Sequence, residues 1–150
     1  MVGIRRKART IALQTLYEVD CSSHRSSEAL SRLLEENPLP DEAAQFGRSL
    51  VAGALQHKKD IDAIIRRFAP AFPVEQIAPI DRNILRLAIF EVLFDNRVPV
   101  KVAINEAVEL AKRFGSDTSQ KFVNGVLGSV VTMVVGQKKA QETTEKSESV

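Results

Sequence analysis

Apolar residues along this chain recur at three- and four-residue steps, the signature of helices. No strand-like alternation of useful length and no convincing internal repeat interrupts that pattern. It is clearest from Val98 to Leu127. Val100, Ala103, Ile104, Ala107, Val108, Ala111 and Phe114 make one apolar helix face. Pro99 stands where a helix can begin, because its missing N–H would be unpaired there anyway. Gly115 is expected to stop the helix in the left-handed C′ conformation. Asp117 is the expected N-cap of a following helix, with Gln120 three residues on.

The same spacing places a first helix over about Gly3 to Asp20, apolar around much more than half its circumference and so central to a core. A polar loop, Cys21 to Ser27, precedes a second helix ending near Glu36. After the Asn37-Pro38-Leu39-Pro40 break, Asp41 is expected to cap a third helix. The pattern turns polar around His57 to Asp60 and then resumes, which fits one long helix or two. Pro70 and Pro73 mark another break, with a short turn at Val74 to Ile77. Pro79 opens a helix to about Asn96 that is apolar on most sides and is expected at the buried centre of the second half. The predicted fold is all-α, with about seven helices in two small packed subdomains.

At 150 residues, 44% of them apolar, the chain can bury roughly 68–70% of its unfolded surface. The expected division is a helical domain over residues 1–136 and a disordered polar tail over residues 137–150, where almost nothing apolar is available to bury. The single cysteine, Cys21, allows no internal disulfide. The longest mostly apolar, uncharged stretch near the C-terminal end, Phe122 to Val135, has 14 residues, short of the roughly 18 a membrane span needs. A cytoplasmic protein with no membrane association is expected.

Net charge is only +2, yet Arg5, Arg6, Lys7 and Arg9 all precede the first acid, Glu18. Cations at a helix N-terminus oppose its dipole, so the run suits a role such as phosphate neutralisation. A solvated helix end is the plain alternative. The polar turn after Gly115 adds Ser119, Gln120, Lys121 and Asn124, with Phe122 among them. A ring there can stack on a splayed base; packing with Val126 in the core is the stronger reading from spacing alone. No catalytic constellation stands out. Cys21 and His24 lack an orienting partner, His57 and Asp60 do not make a metal site, and the acids beside Lys112 and Arg113 read as a solvated helix face. No cofactor, metal or catalytic residue is assigned.

Arg6, Ala8, Arg9, Ala12, Gln14, Leu16 and Tyr17 resemble the first helix of the bacterial antitermination factor NusB family. Val102 to Lys112, then Phe114-Gly115, then Lys121 to Leu127, resemble that family's most distinctive signature. The resemblance covers about Arg5 to Val135. It implies an all-α fold and no catalysis. It implies binding of boxA-type single-stranded RNA together with the ribosomal protein NusE, reaching other Nus factors and RNA polymerase indirectly, in support of ribosomal RNA transcription. The implied RNA surface comprises Arg5, Arg6, Lys7, Arg9, Gln14, Ser119, Gln120, Lys121, Phe122 and Asn124. The family often carries a carboxylate where Thr118 stands; here the acid is Asp117, so neither position is given a role.

Two alternatives stay open. One is an accessory domain like those attached to ribosomal RNA cytosine methyltransferases, although this chain has no room for a methyl-donor fold. The other is a protein-interaction module without RNA binding. Self-association as a homodimer, known for some members of the family, is also open.

Overall fold

The structure, a computed structural model, describes the backbone of residues 3–148 and the side chains of residues 3–137. Its described residues form seven α-helices and no strand: α1 (Ile4–Cys21), α2 (Ser26–Glu36), α3 (Asp41–Gln56), α4 (Lys58–Phe68), α5 (Pro79–Ile89), α6 (Val100–Phe114) and α7 (Ser119–Glu148). A 3₁₀ turn, Val74–Gln76, precedes α5, and a π-helical segment, Phe90–Asp95, continues it.

α1 and α5 are the two central helices, as their all-round apolar patterns predict. Ala8, Ile11, Ala12, Leu13 and Leu16 of α1 are buried, and so are Ile84, Leu85, Leu87, Ala88 and Ile89 of α5. Where α1 crosses α3, both surfaces are small. A Cβ on Gly47 would lie 3.5 Å from the Ala8 carbonyl oxygen, so the two backbones approach closely. Helices α1–α3 form a front group and α4–α7 a back group. One hydrophobic cluster, running from Ala8 through Ile84 to Val130, continues through both.

Two local expectations are revised, and one that was open is resolved. The middle segment is two helices, parted at His57 (φ −99°, ψ 13°), whose ring leaves the helix pattern and stacks on Phe94 at 4.3 Å. Asp41 is not the cap of α3; Pro40 occupies that position, and Asp41 sits inside the first turn, where an acid favours the dipole. The helix opened by Pro79 does not stay α-helical to Asn96. It widens over Phe90–Asp95 and ends at Asn96 with a left-handed φ of 55°. The widened turn lays the Phe90 ring where a Gly53 side chain would be, 2.0 Å from a Cβ built there. Finally, the backbone of the expected disordered tail continues α7 as far as Glu148. Its Lys, Gln, Glu and Ala residues favour helix locally. Residues 149 and 150 of that expected tail lie outside the described residues.

Two charged networks tie the helices together. Arg9 of α1 donates to both carboxylate oxygens of Glu91 at 2.9 to 3.2 Å, and the two side chains are only 4% and 2% exposed. Burial pushes the Glu91 carboxyl up, and the hydrogen bonds and charge of Arg9 pull it only part of the way back. At the other end of α1, Asp20 accepts from Arg82 (2.6 Å) and Asn83 (2.8 Å) of α5. Arg86 bridges Asp20 to Asp62 of α4. Burial pushes the Asp20 carboxyl up as well, but these donors more than offset it, and it titrates below the usual carboxylate range.

Arg9→Ala is expected to cost about 3–5 kcal/mol, because it strands a buried carboxylate. The double replacement Arg9→Met with Glu91→Leu should recover most of that loss, read from urea unfolding midpoints. Because the folded-state pKa of Asp20 is depressed, its stabilisation is present above the unfolded pKa and disappears as pH falls through the folded value. Urea midpoints taken across the acid range should therefore fall more steeply for the native chain than for Asp20→Asn. Equal slopes would show that the Asp20 network does not carry this dependence.

Candidate nucleic-acid interface

The N-terminal basic run divides between two environments because helical geometry turns its members in different directions. Arg5 and Lys7 are exposed. Arg6 is 39% exposed and forms a two-pronged pair with Glu106 of α6, at 3.0 and 2.9 Å. Arg9 is inside the protein on Glu91. Its guanidinium also lies 5.1 Å from the centre of the Phe46 ring, which Arg5 (4.7 Å) and Arg97 (5.2 Å) share. Two of the three guanidinium nitrogens of Arg9, Nε and Nη2, are thus engaged on Glu91, and the side chain is only 4% exposed. Gln14 is half-buried.

The turn between α6 and α7 is built differently from the expectation. Gly115 is extended (φ −90°, ψ −173°), not left-handed. Glycine is required there by crowding. An added Cβ would lie 2.4 Å from the Ser119 Cβ and 2.8 Å from the Ala111 carbonyl oxygen. Asp117 does not cap α7. Thr118 stands at the boundary, its carbonyl accepting from the Phe122 N–H at 3.1 Å. Ser119 is 1% exposed, and its hydroxyl accepts from the Ser116 N–H at 2.9 Å. It holds the turn closed from within. Gln120, Lys121 and Asn124 are exposed, while Phe122 is half-buried against the core.

Four of these residues, Lys7, Gln14, Phe122 and Asn124, line four hollows rather than one. A groove of about 590 Å³ gathers Lys7, Thr10 and Gln14 of α1 with Arg113 and Phe114 at the end of α6, closed by the α2–α3 connection. The Arg113 guanidinium donates to the Thr10 hydroxyl at 3.3 Å and lies 5.0 Å from the Phe114 ring centre. Gln14 and Phe114 also border an apolar hollow with Tyr17 and Ile80. Phe122 faces a separate hollow with Thr118, Phe72 and Asp81. Asn124 lines a fourth with Arg67 and Phe68 of α4.

Arg113, Phe114, Tyr17 and Asp81 are therefore candidates that the residue pattern did not single out. In sequence Lys112 and Arg113 both read as partners of a neighbouring acid on a solvated helix face; Lys112 meets Glu109 at 3.3 Å. Phe114 reads as the last apolar position of α6 and as part of the family signature, not as a site residue. Nothing in the local sequence around Asp81 distinguishes it from an ordinary first-turn acid. Elsewhere, Cys21 is exposed, and the His24 ring lies 3.3 Å from Glu18. Among the described residues, no group of three His, Cys, Asp or Glu side chains is arranged to hold a metal ion, and no helix is long and apolar enough to cross a membrane.

The chain matches the NusB family over residues 6–132. It is 56% identical over 130 residues to the transcription antitermination protein NusB of Dehalococcoides mccartyi strain CBDB1, covering 87% of this chain and 91% of that protein. Among solved structures, T. maritima NusB superposes with a TM-score of 0.80 at 32% identity, covering 88% of this chain and 93% of that one. A crystal structure of the antitermination factors NusB and NusE in complex with double-stranded RNA superposes with a TM-score of 0.81 at 28% identity, over 89% and 99% of the two chains.

Gly115→Ala is expected to destabilise the protein by about 1–3 kcal/mol, the range for overfilling a packed site. A melting temperature unchanged from the native chain would show that the turn opens freely.

Proposed function

This chain belongs to the NusB family, and from that premise we propose that it is an RNA-binding adaptor of transcription antitermination. The groove between α1 and the end of α6 carries the reading. It offers an exposed ammonium (Lys7), a guanidinium (Arg113), an amide (Gln14) and an aromatic ring (Phe114) along one channel. Cations of this kind neutralise phosphates, and rings and amides meet bases. Arg5 and Lys121 add two further exposed cations. The solved relative that holds NusB, NusE and RNA together supports the same assignment.

In this proposal the RNA is a boxA-type single strand, bound together with the ribosomal protein NusE. The complex reaches other Nus factors and RNA polymerase indirectly and supports transcription of ribosomal RNA. The chain acts by binding, not by turnover. Arg5, Lys7, Gln14, Gln120, Lys121, Phe122 and Asn124 are its proposed contacts. Arg6 is a contact whose fork is partly held by Glu106. Arg9 and Ser119 act indirectly, by fixing α1 and the turn.

Affinity for a boxA-type single strand, measured with and without NusE across a salt series, tests this. Binding should tighten with NusE. It should also weaken with salt, with a slope of roughly 0.7 per phosphate neutralised on a single strand. Lys7→Ala and Lys121→Ala should each lower the affinity several-fold and shave about that much from the slope. Binding indifferent to salt, or untouched by both substitutions, would remove the RNA surface from these residues.

A further inference from the structure

Among the described residues, Arg6 is the one cation of the N-terminal run that is both open to solvent and held by a carboxylate. Its Nε and Nη2 donate to the two oxygens of Glu106 at 3.0 and 2.9 Å. The pair is graded in depth: the Arg6 side chain is 39% exposed and that of Glu106 only 15%. The acid therefore lies beneath the cation, on the side of α6 that buries Ala103, Ala107 and Leu110. Glu109, three residues on, attracts Arg6 by charge alone; its own hydrogen bond is to Lys112, at 3.3 Å.

This geometry decides which edge of the guanidinium is left to a ligand. The group is planar and carries its N–H donors in a rigid fork. Glu106 takes the Nε–Nη2 edge. The N–H groups of Nη1 and the outer one of Nη2 remain, and among the described residues no side chain or backbone group accepts from Nη1. That remaining Nη1–Nη2 edge is also bidentate, and two oxygens of one phosphate fit it. The next turn of α1 repeats the arrangement. Arg113 of α6 is fixed on the Thr10 hydroxyl at 3.3 Å, and Thr10 donates to the Arg6 carbonyl at 3.1 Å. The seam between α1 and α6 thus carries two guanidiniums, each held from within the protein.

We propose that Glu106 is a positioning residue for RNA: it holds one edge of the Arg6 guanidinium so that the other edge is aimed at a phosphate of the bound strand. The proposal rests on the RNA-binding reading above and gives a role to an acid within a surface whose other charges suit a polyanion. Charge alone leads to the opposite expectation. A carboxylate beside a phosphate site repels the strand and competes with it for the guanidinium, so its removal would tighten binding. If the carboxylate aims the fork, its removal weakens binding, although the net charge of the protein rises by one from +2. The sign of the effect of one substitution separates the two.

The test measures the affinity of the full chain, with NusE, for a boxA-type single strand over a salt series. Glu106→Gln should weaken binding about threefold or more, part of what a lost charge-assisted hydrogen bond costs. Arg6→Lys leaves Glu106 in place and keeps the charge, but an ammonium has no second edge to aim; it should weaken binding by a similar factor. Adding Glu106→Gln to Arg6→Lys should then cost nothing further, because the fork that Glu106 holds is gone. Tighter or unchanged binding by Glu106→Gln overturns the proposal and leaves the RNA reading standing. An Arg6→Lys chain that binds like the native one does the same. So does a loss from Glu106→Gln that is as large in the Arg6→Lys background as in the native one, which would trace it to folding or to another contact. No binding of any strand, with or without NusE, overturns the role of Glu106 and the RNA reading together.

Discussion

The buried pair of Arg9 and Glu91 fixes how the first helix sits on the rest of the molecule. Both side chains are almost fully enclosed and joined by two-pronged hydrogen bonds. Such a pair is weak as a net source of stability but strict as a geometric demand, since either charge alone inside the protein is very unfavourable. It admits one rotation of α1 about its axis. With that rotation set, Arg6 meets Glu106 and Thr10 meets Arg113, while Arg5 and Lys7 are left on the outside. The network around Asp20 anchors the far end of the same helix to α4 and α5. α1 is thus held at both ends by charges, and its middle is held by Ala8 against Gly47.

The second constraint is the crowding between α6 and α7. Because Gly115, Ala111 and Ser119 are within a few ångströms of each other, the chain leaves α6 and re-enters helix with almost no freedom. The hydroxyl of Ser119 closes that turn from inside. The direction in which α7 departs, and therefore the side on which Phe122 emerges, follows from this packing. Phe122 and Asn124 are only two residues apart, yet they face different hollows, one against α5 and one against α4.

Much of the helix pattern was legible in the spacing of apolar residues, because each helix buries one face and α1 and α5 bury nearly all of theirs. Features set by contacts distant in sequence were not. The partner of Arg9 lies 82 positions away, and nothing local separates it from Arg5 or Lys7. The widening of α5 at Phe90 answers to Gly53 on another helix. Gly115 reads as a left-handed stop from its position alone, although its backbone is extended and its reason is steric. Of the proposed RNA surface, the basic run and the polar turn are visible in the sequence. The joining of Lys7 and Gln14 to Arg113 and Phe114 is not, because it depends on how α1 lies across the end of α6.

Phe46 gives the surface a property separate from its charge. Its ring gathers the guanidiniums of Arg5, Arg9 and Arg97 within 4.7 to 5.2 Å. Arg9 is neutralised by Glu91, and Arg97 by Asp95 at 2.8 Å. A long cationic side chain in solvent samples many rotamers and gives up that freedom when a ligand arrives. Stacked on a ring that is itself only 4% exposed, the Arg5 head has surrendered part of it during folding. The entropy of ordering one exposed cation is thus settled in the free protein, and what it meets later is met by a group already in place.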